Sequence, residues 1–260
     1  MGINHATSGA AVWFAATATL PALSTGLYPL APMGVLAGAL VCAGAALLPD
    51  ADHHSGTIAH SVPVVGRLVA RSVEDASGGH RHGAHTLFAA LIVTLLAVLL
   101  GRVTTVLPLL GRVPVGPAIA TIALICFAVK ARDVVKRWST AWFLGLVAAA
   151  AVLLFSPDNP VWFPVAVALG FVTHIAGDLL TVEGVPSLIW PIQVKPPKAW
   201  ARTPGLRAIW KRNGYVSVPV LGHAGSVREH LLGVALALYC VYAFVAVAMQ
   251  AGHVDLLAMH

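Results

Sequence analysis

The sequence predicts an all-α membrane protein, a polytopic bundle of about seven transmembrane helices with its N-terminus in the cytoplasm. Three observations lead there. Of 260 residues, 58% are hydrophobic and only 10% are charged, with a mean hydropathy of +0.83. A soluble domain carries about 25% charged residues, so this chain cannot cover a water-facing surface. The apolar residues fall in runs near the length that crosses a bilayer, about 17 to 25 residues. The basic residues gather in alternate loops.

The expected spans are approximately 8–23, 30–48, 85–101, 113–129, 140–155, 162–180 and 231–250. The last, LLGVALALYCVYAFVAVAMQ, is the clearest. The first and fifth are the shortest, and six spans is the rival count. The run GVLAGALVCAGAALL in the second offers small-residue faces that let helices approach closely. Neither strict alternation nor repeated ten-residue segments support a barrel. Asn4 and His5 precede the first apolar run without a basic leader, so a retained first span is expected rather than a cleaved signal. Cys42, Cys126 and Cys240 all lie in apolar stretches and read as small core residues. One integral membrane domain over 1–260 is expected, with loops 49–84 and 181–230 on the cytoplasmic face.

Fourteen of the sixteen Lys and Arg residues fall in 49–84, 130–139 and 181–230, leaving Arg102 and Arg112 in the alternate loops. By the positive-inside rule the basic loops are cytoplasmic. The net charge of +6 is thereby explained by topology. No nucleic-acid-binding motif competes with that reading, so no specific nucleic-acid partner is expected. Ten of the twelve histidines fall on the same face, including those that carry chemistry.

Four pieces stand out. His5 in GINHATSG precedes the first span; by itself it also suits a solvated N-terminal histidine. LLPDADHHSG places Asp50 and Asp52 just after the second span, where two acids at a helix C-terminus oppose its dipole. GGHRHGAHTLF holds His80, Arg81, His82 and His85 before the third span, with Thr86 available as a helix cap. A polar cytoplasmic loop is the competing reading. GFVTHIAGDLLT puts His174 and Asp178 four apart, on one helix face at membrane depth. Ionisable groups there are costly unless paired or liganded, though a plain His–Asp hydrogen bond would satisfy both.

Gathered together, His5, Asp50, Asp52, His80, His85, His174 and Asp178 form a mixed His/Asp donor set. It suits one or two divalent ions, zinc first, with manganese or iron as alternatives. A metal there would activate water for hydrolysis without a covalent nucleophile. Asp52, His80, Arg81 and His85 are the catalytic candidates: His80 or His85 as ligand or proton shuttle, Asp50 or Asp52 as base, and Arg81 against developing negative charge. No GxSxG elbow, phosphate-binding glycine loop or H-E-x-x-H pattern is present.

At LLPDADH, GHRHGAHTL and THIAGDLLTVEGVPSLIWP, with the early His5, the chain resembles the YdjM-like family of inner-membrane metal-dependent hydrolases, of the LexA-regulated type. The resemblance covers roughly residues 1–195. It implies a helical bacterial inner-membrane protein, distantly similar to zinc-dependent phospholipase C enzymes. It also implies that the seven His and Asp residues correspond to the family's polar set, with Thr181, Gly184, Trp190 and Pro191 continuing the pattern. The family usually reads H-R-G-x-T-H-S in the third piece. Here His82 stands in place of glycine, Ala84 in place of threonine and Thr86 in place of serine.

In 181–230, Trp190, Trp200 and Trp210 recur near basic groups, as in a segment resting on anionic lipid or in a surface-anchored, proline-broken loop. The expected function is a metal-dependent hydrolase at the cytoplasmic leaflet, with membrane lipid as partner and a phosphoester or lipid-derived ester as substrate. The alternatives are a transporter or metal-ion permease, whose polar groups would line a path across the bilayer, and a structural membrane protein whose His–Asp pairs only pack helices.

Overall fold

The computed structural model describes residues 2–20, 22–52, 83–131, 134–187, 191–192 and 194–258. Side chains are described for these except 2–3, 51–52, 131 and 253–258. The described residues are largely helical. In chain order the helices are α1 (Gly2–Thr17), α2 (Pro32–Ala45), α3 (Leu87–Gly101), α4 (Val115–Ala131), α5 (Trp138–Phe155), α6 (Trp162–Leu179), the short α7 (Lys198–Arg202) and α8 (Pro204–Ile209), and α9 (Val227–Ala258). Each predicted apolar run therefore folds as a helix. Three of them, within α5, α6 and α9, are long and apolar enough to cross a membrane. Helices α2, α3 and α4 are apolar but shorter.

Several boundaries differ from expectation, among them the end of α1 at Thr17 and both ends of α9, and two have a clear cause. Helix α1 begins at Gly2 rather than near residue 8, so His5 lies within its first turns and not ahead of it. Polar residues are tolerated there because other helices satisfy them: Asn4 Nδ2 donates to Glu229 Oε1 on α9 at 2.6 Å, and His5 reaches Asp178 on α6. Residues 105–107 and 111–113 form a small antiparallel hairpin that delays the start of α4. β-Branched residues favour the extended strands, and Gly111, at φ +70°, supplies the turn conformation that an L side chain resists.

Helix α2 is the hub, packed on α1, α4, α5, α6 and α9. Its small residues explain how. The buried Trp13 ring of α1 lies on Gly38 and donates its indole N–H to the Val35 carbonyl at 2.9 Å. Gly44 faces Leu124 of α4, and Gly170 of α6 faces the Cys42 carbonyl. Lipid tails are as apolar as leucine, so close van der Waals packing, rather than removal of apolar surface from water, holds such helices together. Outward, α3, α5 and α9 expose Leu91, Leu95, Phe143, Leu146, Leu238 and Phe244. Apolar faces of this extent suit hydrocarbon surroundings, not water.

The described part of 181–230 is pinned to the end of α6. Thr181 bridges Gly222 and Val185 bridges Val216, while the Lys211 ammonium donates to the Val182 and Glu183 carbonyls. Trp200 and Trp210 meet edge to face, 6.0 Å between centroids, so at least these two tryptophans pack on each other.

Candidate metal centre

The start of α1, the end of α2, the start of α3 and the end of α6 meet at one end of the bundle. Each delivers one or two polar side chains there. His174 and Asp178 project from one face of α6, both fully buried. His85 closes a 3-10 turn at 83–85 and is equally buried. Its position is set by Thr86, the N-cap of α3, whose Oγ1 accepts from the Ala89 amide at 3.2 Å and donates to the Gly83 carbonyl at 2.7 Å. Thr86 thus performs the cap that its place ahead of the apolar run suggests. Asp50 follows α2 on a 3-10 turn at Pro49–Asp52 and is half-buried.

His174 Nδ1 lies 2.7 Å from the Ala46 carbonyl oxygen. A carbonyl only accepts, so Nδ1 carries the proton and Nε2 of the neutral ring presents a lone pair. That lone pair faces His85 Nε2 at 3.2 Å, Asp178 Oδ2 at 3.5 Å and Asp50 Oδ1 at 3.7 Å. His85 Nε2 stands 3.4 Å from Asp178 Oδ2 and 3.7 Å from Asp50 Oδ1. Carboxylate–imidazolium hydrogen bonds close to about 2.7–2.9 Å. A tetrahedral ion with ligands about 2.0–2.1 Å away has ligand–ligand edges of about 3.3–3.4 Å. The His174–His85 pair is within hydrogen-bond distance, but the four carboxylate–imidazole separations match the edges of a coordination polyhedron better than hydrogen-bonded ion pairs, so His85, His174, Asp50 and Asp178 fit a divalent cation. Two overlapping triads have ligand atoms close enough to hold an ion: His85, His174 and Asp178, and His5, Asp50 and His174.

His5 sits beside this tetrad. Its ring stacks on His174, 3.8 Å between centroids, and its Nε2 lies 3.5 Å from Asp178 Oδ1, the oxygen turned away from His85. It therefore orients both an imidazole and a carboxylate, and can also serve the second triad. Burial alone would push the pKa of the Asp50 carboxyl up. When the facing imidazoles of His85, His174 and His5 carry protons, their attraction outweighs burial and holds the group well below the usual carboxylate range.

Five of the seven predicted donors are thus brought together: His5, Asp50, His85, His174 and Asp178. The backbone of Asp52 lies on the same turn as Asp50, while its side chain is outside the described residues. His80, Arg81, His82 and Trp190 also lie outside them. His223 and His230 stand apart, the first paired with Glu183 at 3.3 Å and the second bonded to the Ser226 carbonyl. Two contributors were missed by sequence reasoning. The Ala46 carbonyl leaves no side-chain signature. Glu229 does, as the last residue of a Ser226-x-x-Glu229 capping pattern: Ser226 Oγ accepts from the Glu229 amide, and the Glu229 carboxylate accepts from the Gly225 amide and from Asn4.

Fold and site together define a multi-pass helical membrane protein with a buried His/Asp cluster able to coordinate a divalent metal. The chain belongs to the YdjM inner membrane protein family, whose sequence profile matches residues 1–252. It is accordingly an inner-membrane protein. No curated protein and no solved structure matches the chain.

Proposed function

We propose that this protein is a membrane metal-dependent hydrolase acting at the cytoplasmic leaflet on a phosphoester or a lipid-derived ester. One observation carries the reading: four donor atoms from three separate parts of the chain stand 3.2–3.7 Å apart in five of their six pairs, and the four carboxylate–imidazole pairs among them are wider than hydrogen-bonded ion pairs. The six apolar helices, taken together with α1, are read as seven spans with the N-terminus inside; on that reading the cluster lies at the inner membrane surface. The gathering of the described donors at one end of the bundle favours surface chemistry over a permeation route.

His85, His174, Asp50 and Asp178 would hold the ion, zinc being the best match to this donor set. When bound, it supplies Lewis acidity toward a phosphoryl or acyl oxygen and acidifies a water. The protein's own groups do the rest. Ala46 fixes the His174 tautomer, and His5 holds the Asp178 carboxylate in register. Asp50 is the most open of the described donors, so it marks the side of the ion that a water and a substrate can reach. Arg81 is assigned to neutralise charge on the reacting group.

The test is elemental analysis of detergent-purified protein beside His174→Gln, followed by a screen of nitrophenyl phosphoesters and acyl esters with added zinc or manganese. Stoichiometric metal lost in the variant, with chelator-sensitive turnover in the wild type, is the expected result. Metal content unchanged by the substitution would overturn the site. Tight metal binding without turnover of either ester class would overturn the activity.

A further inference from the structure

One cavity in the described structure touches the cluster from the side. About 170 Å³ lies between α1, α6 and α9. Both α6 and α9 pack on α1, and the cavity fills the gap between them. His5 and Asp178 border it, and Leu232 and Leu236 of α9 line it further along. Two glycines in its walls let the α1 side chains pack close. A Cβ at Gly177 would stand 3.2 Å from the His5 ring, and one at Gly233 would stand 2.5 Å from Asn4 Oδ1. Glu229 holds the gap at a set width, because its two oxygens accept from Asn4 on α1 and from the Gly225 amide at the head of α9, each at 2.6 Å.

The space is lined largely by apolar groups, and its rim residues Ala176 and Leu232 are exposed on helices long enough to lie across a bilayer. An apolar cavity of about 150 Å³ stays dry and accepts a benzene-sized apolar group. The apolar medium beside such helices is lipid hydrocarbon, and the polar end of the cavity is the ligand cluster itself. We propose that the cavity seats the first methylenes of a bilayer lipid's acyl chain, entering sideways between α6 and α9, so that the ester-bearing end of the lipid meets the His5–Asp178 edge of the site. As a statement about substrate this rests on the hydrolase reading; as a statement about lipid occupancy it does not.

The experiment uses the full chain in nanodiscs of phosphatidylethanolamine and phosphatidylglycerol, doped with phosphatidylethanolamine carrying a diazirine on the acyl chain close to the glycerol. After irradiation, labelled peptides are mapped by mass spectrometry. Labelling concentrated at 173–181 and 232–236, above that on the lipid-facing surface of α5, is expected. Ala176→Phe, which fills the rim, should cause a several-fold loss of that labelling. Val172→Phe, one turn away and not lining the cavity, should not. Leu236→Trp fills the same space from the opposite wall and replaces Ala176→Phe should that variant fail to fold. Labelling spread evenly over the exposed helices, or unmoved by both filling variants, would overturn the proposal. Localised labelling on a protein that binds no metal would keep the cleft and discard the hydrolase. Metal bound with labelling unlocalised would do the reverse.

Discussion

Asp178→Asn is the most informative single perturbation, because it keeps shape while changing the donor. The carboxylate places Oδ2 3.4 Å from His85 Nε2 and 3.5 Å from His174 Nε2, and Oδ1 3.5 Å from His5 Nε2. An amide fills the same volume but offers one neutral oxygen and no charge. A site of two neutral imidazoles and two carboxylates carries two negative charges, which a divalent ion cancels; the variant leaves one positive charge uncancelled at membrane depth. Structural four-ligand zinc sites bind with about 10–16 kcal/mol. An equal share for one ligand is about 2.5–4 kcal/mol, or roughly 10²–10³-fold in affinity. The assay is competition with a fluorescent chelator in detergent, with size-exclusion and thermal unfolding of the metal-free protein as controls for folding. A folded variant whose affinity falls by less than about threefold would refute the assignment of Asp178 as a ligand, since losing even a positioning partner costs about 10–100-fold.

Three further outcomes follow from the same geometry. His5→Ala removes the group that orients Asp178 and stacks on His174, so metal affinity should fall about 10–100-fold, whereas His223→Ala at the surface should leave it unchanged in the same assay. Protons compete with metal for imidazole, so retained metal should fall as pH drops from about 7 to 5. The Asp50 carboxyl is held below its ordinary value, so its contribution is present above about pH 4 and is lost only at more acid pH; a release midpoint below pH 4 in a desalting series would show that the imidazoles are not ligands. Gly9→Val places a Cβ 2.7 Å from the Cys42 carbonyl oxygen and 2.9 Å from Ala46 Cβ, contacts that only backbone movement relieves. It should cost about 1–3 kcal/mol in thermal unfolding and, by shifting Ala46, also weaken metal binding.

Much of the helical order was legible because bilayer length and hydropathy act on contiguous residues. The α6 pair was legible for the same local reason: His174 and Asp178 are four apart, and helical geometry alone puts them on one face. Thr86 as a cap was readable from its place ahead of an apolar run. The hairpin at 105–113 was hidden, since three-residue strands leave no periodicity to count. The start of α1 was hidden too. Asn4 and His5 look unsuited to a span until Glu229 and Asp178 are seen to receive them, and those partners lie far along the chain.

Composition, run length and charge placement thus determined by themselves that this is a helical membrane protein with its His and Asp residues near the chain's helix ends. Only the tertiary structure decided which of those residues share a cage. His85 and His174 are 89 positions apart, and His174 and the Ala46 carbonyl are 128 apart. No local rule links such positions. Their meeting depends on glycines that let α1, α2 and α6 close to backbone contact, and small changes in that packing would move the donors by more than a coordination bond tolerates.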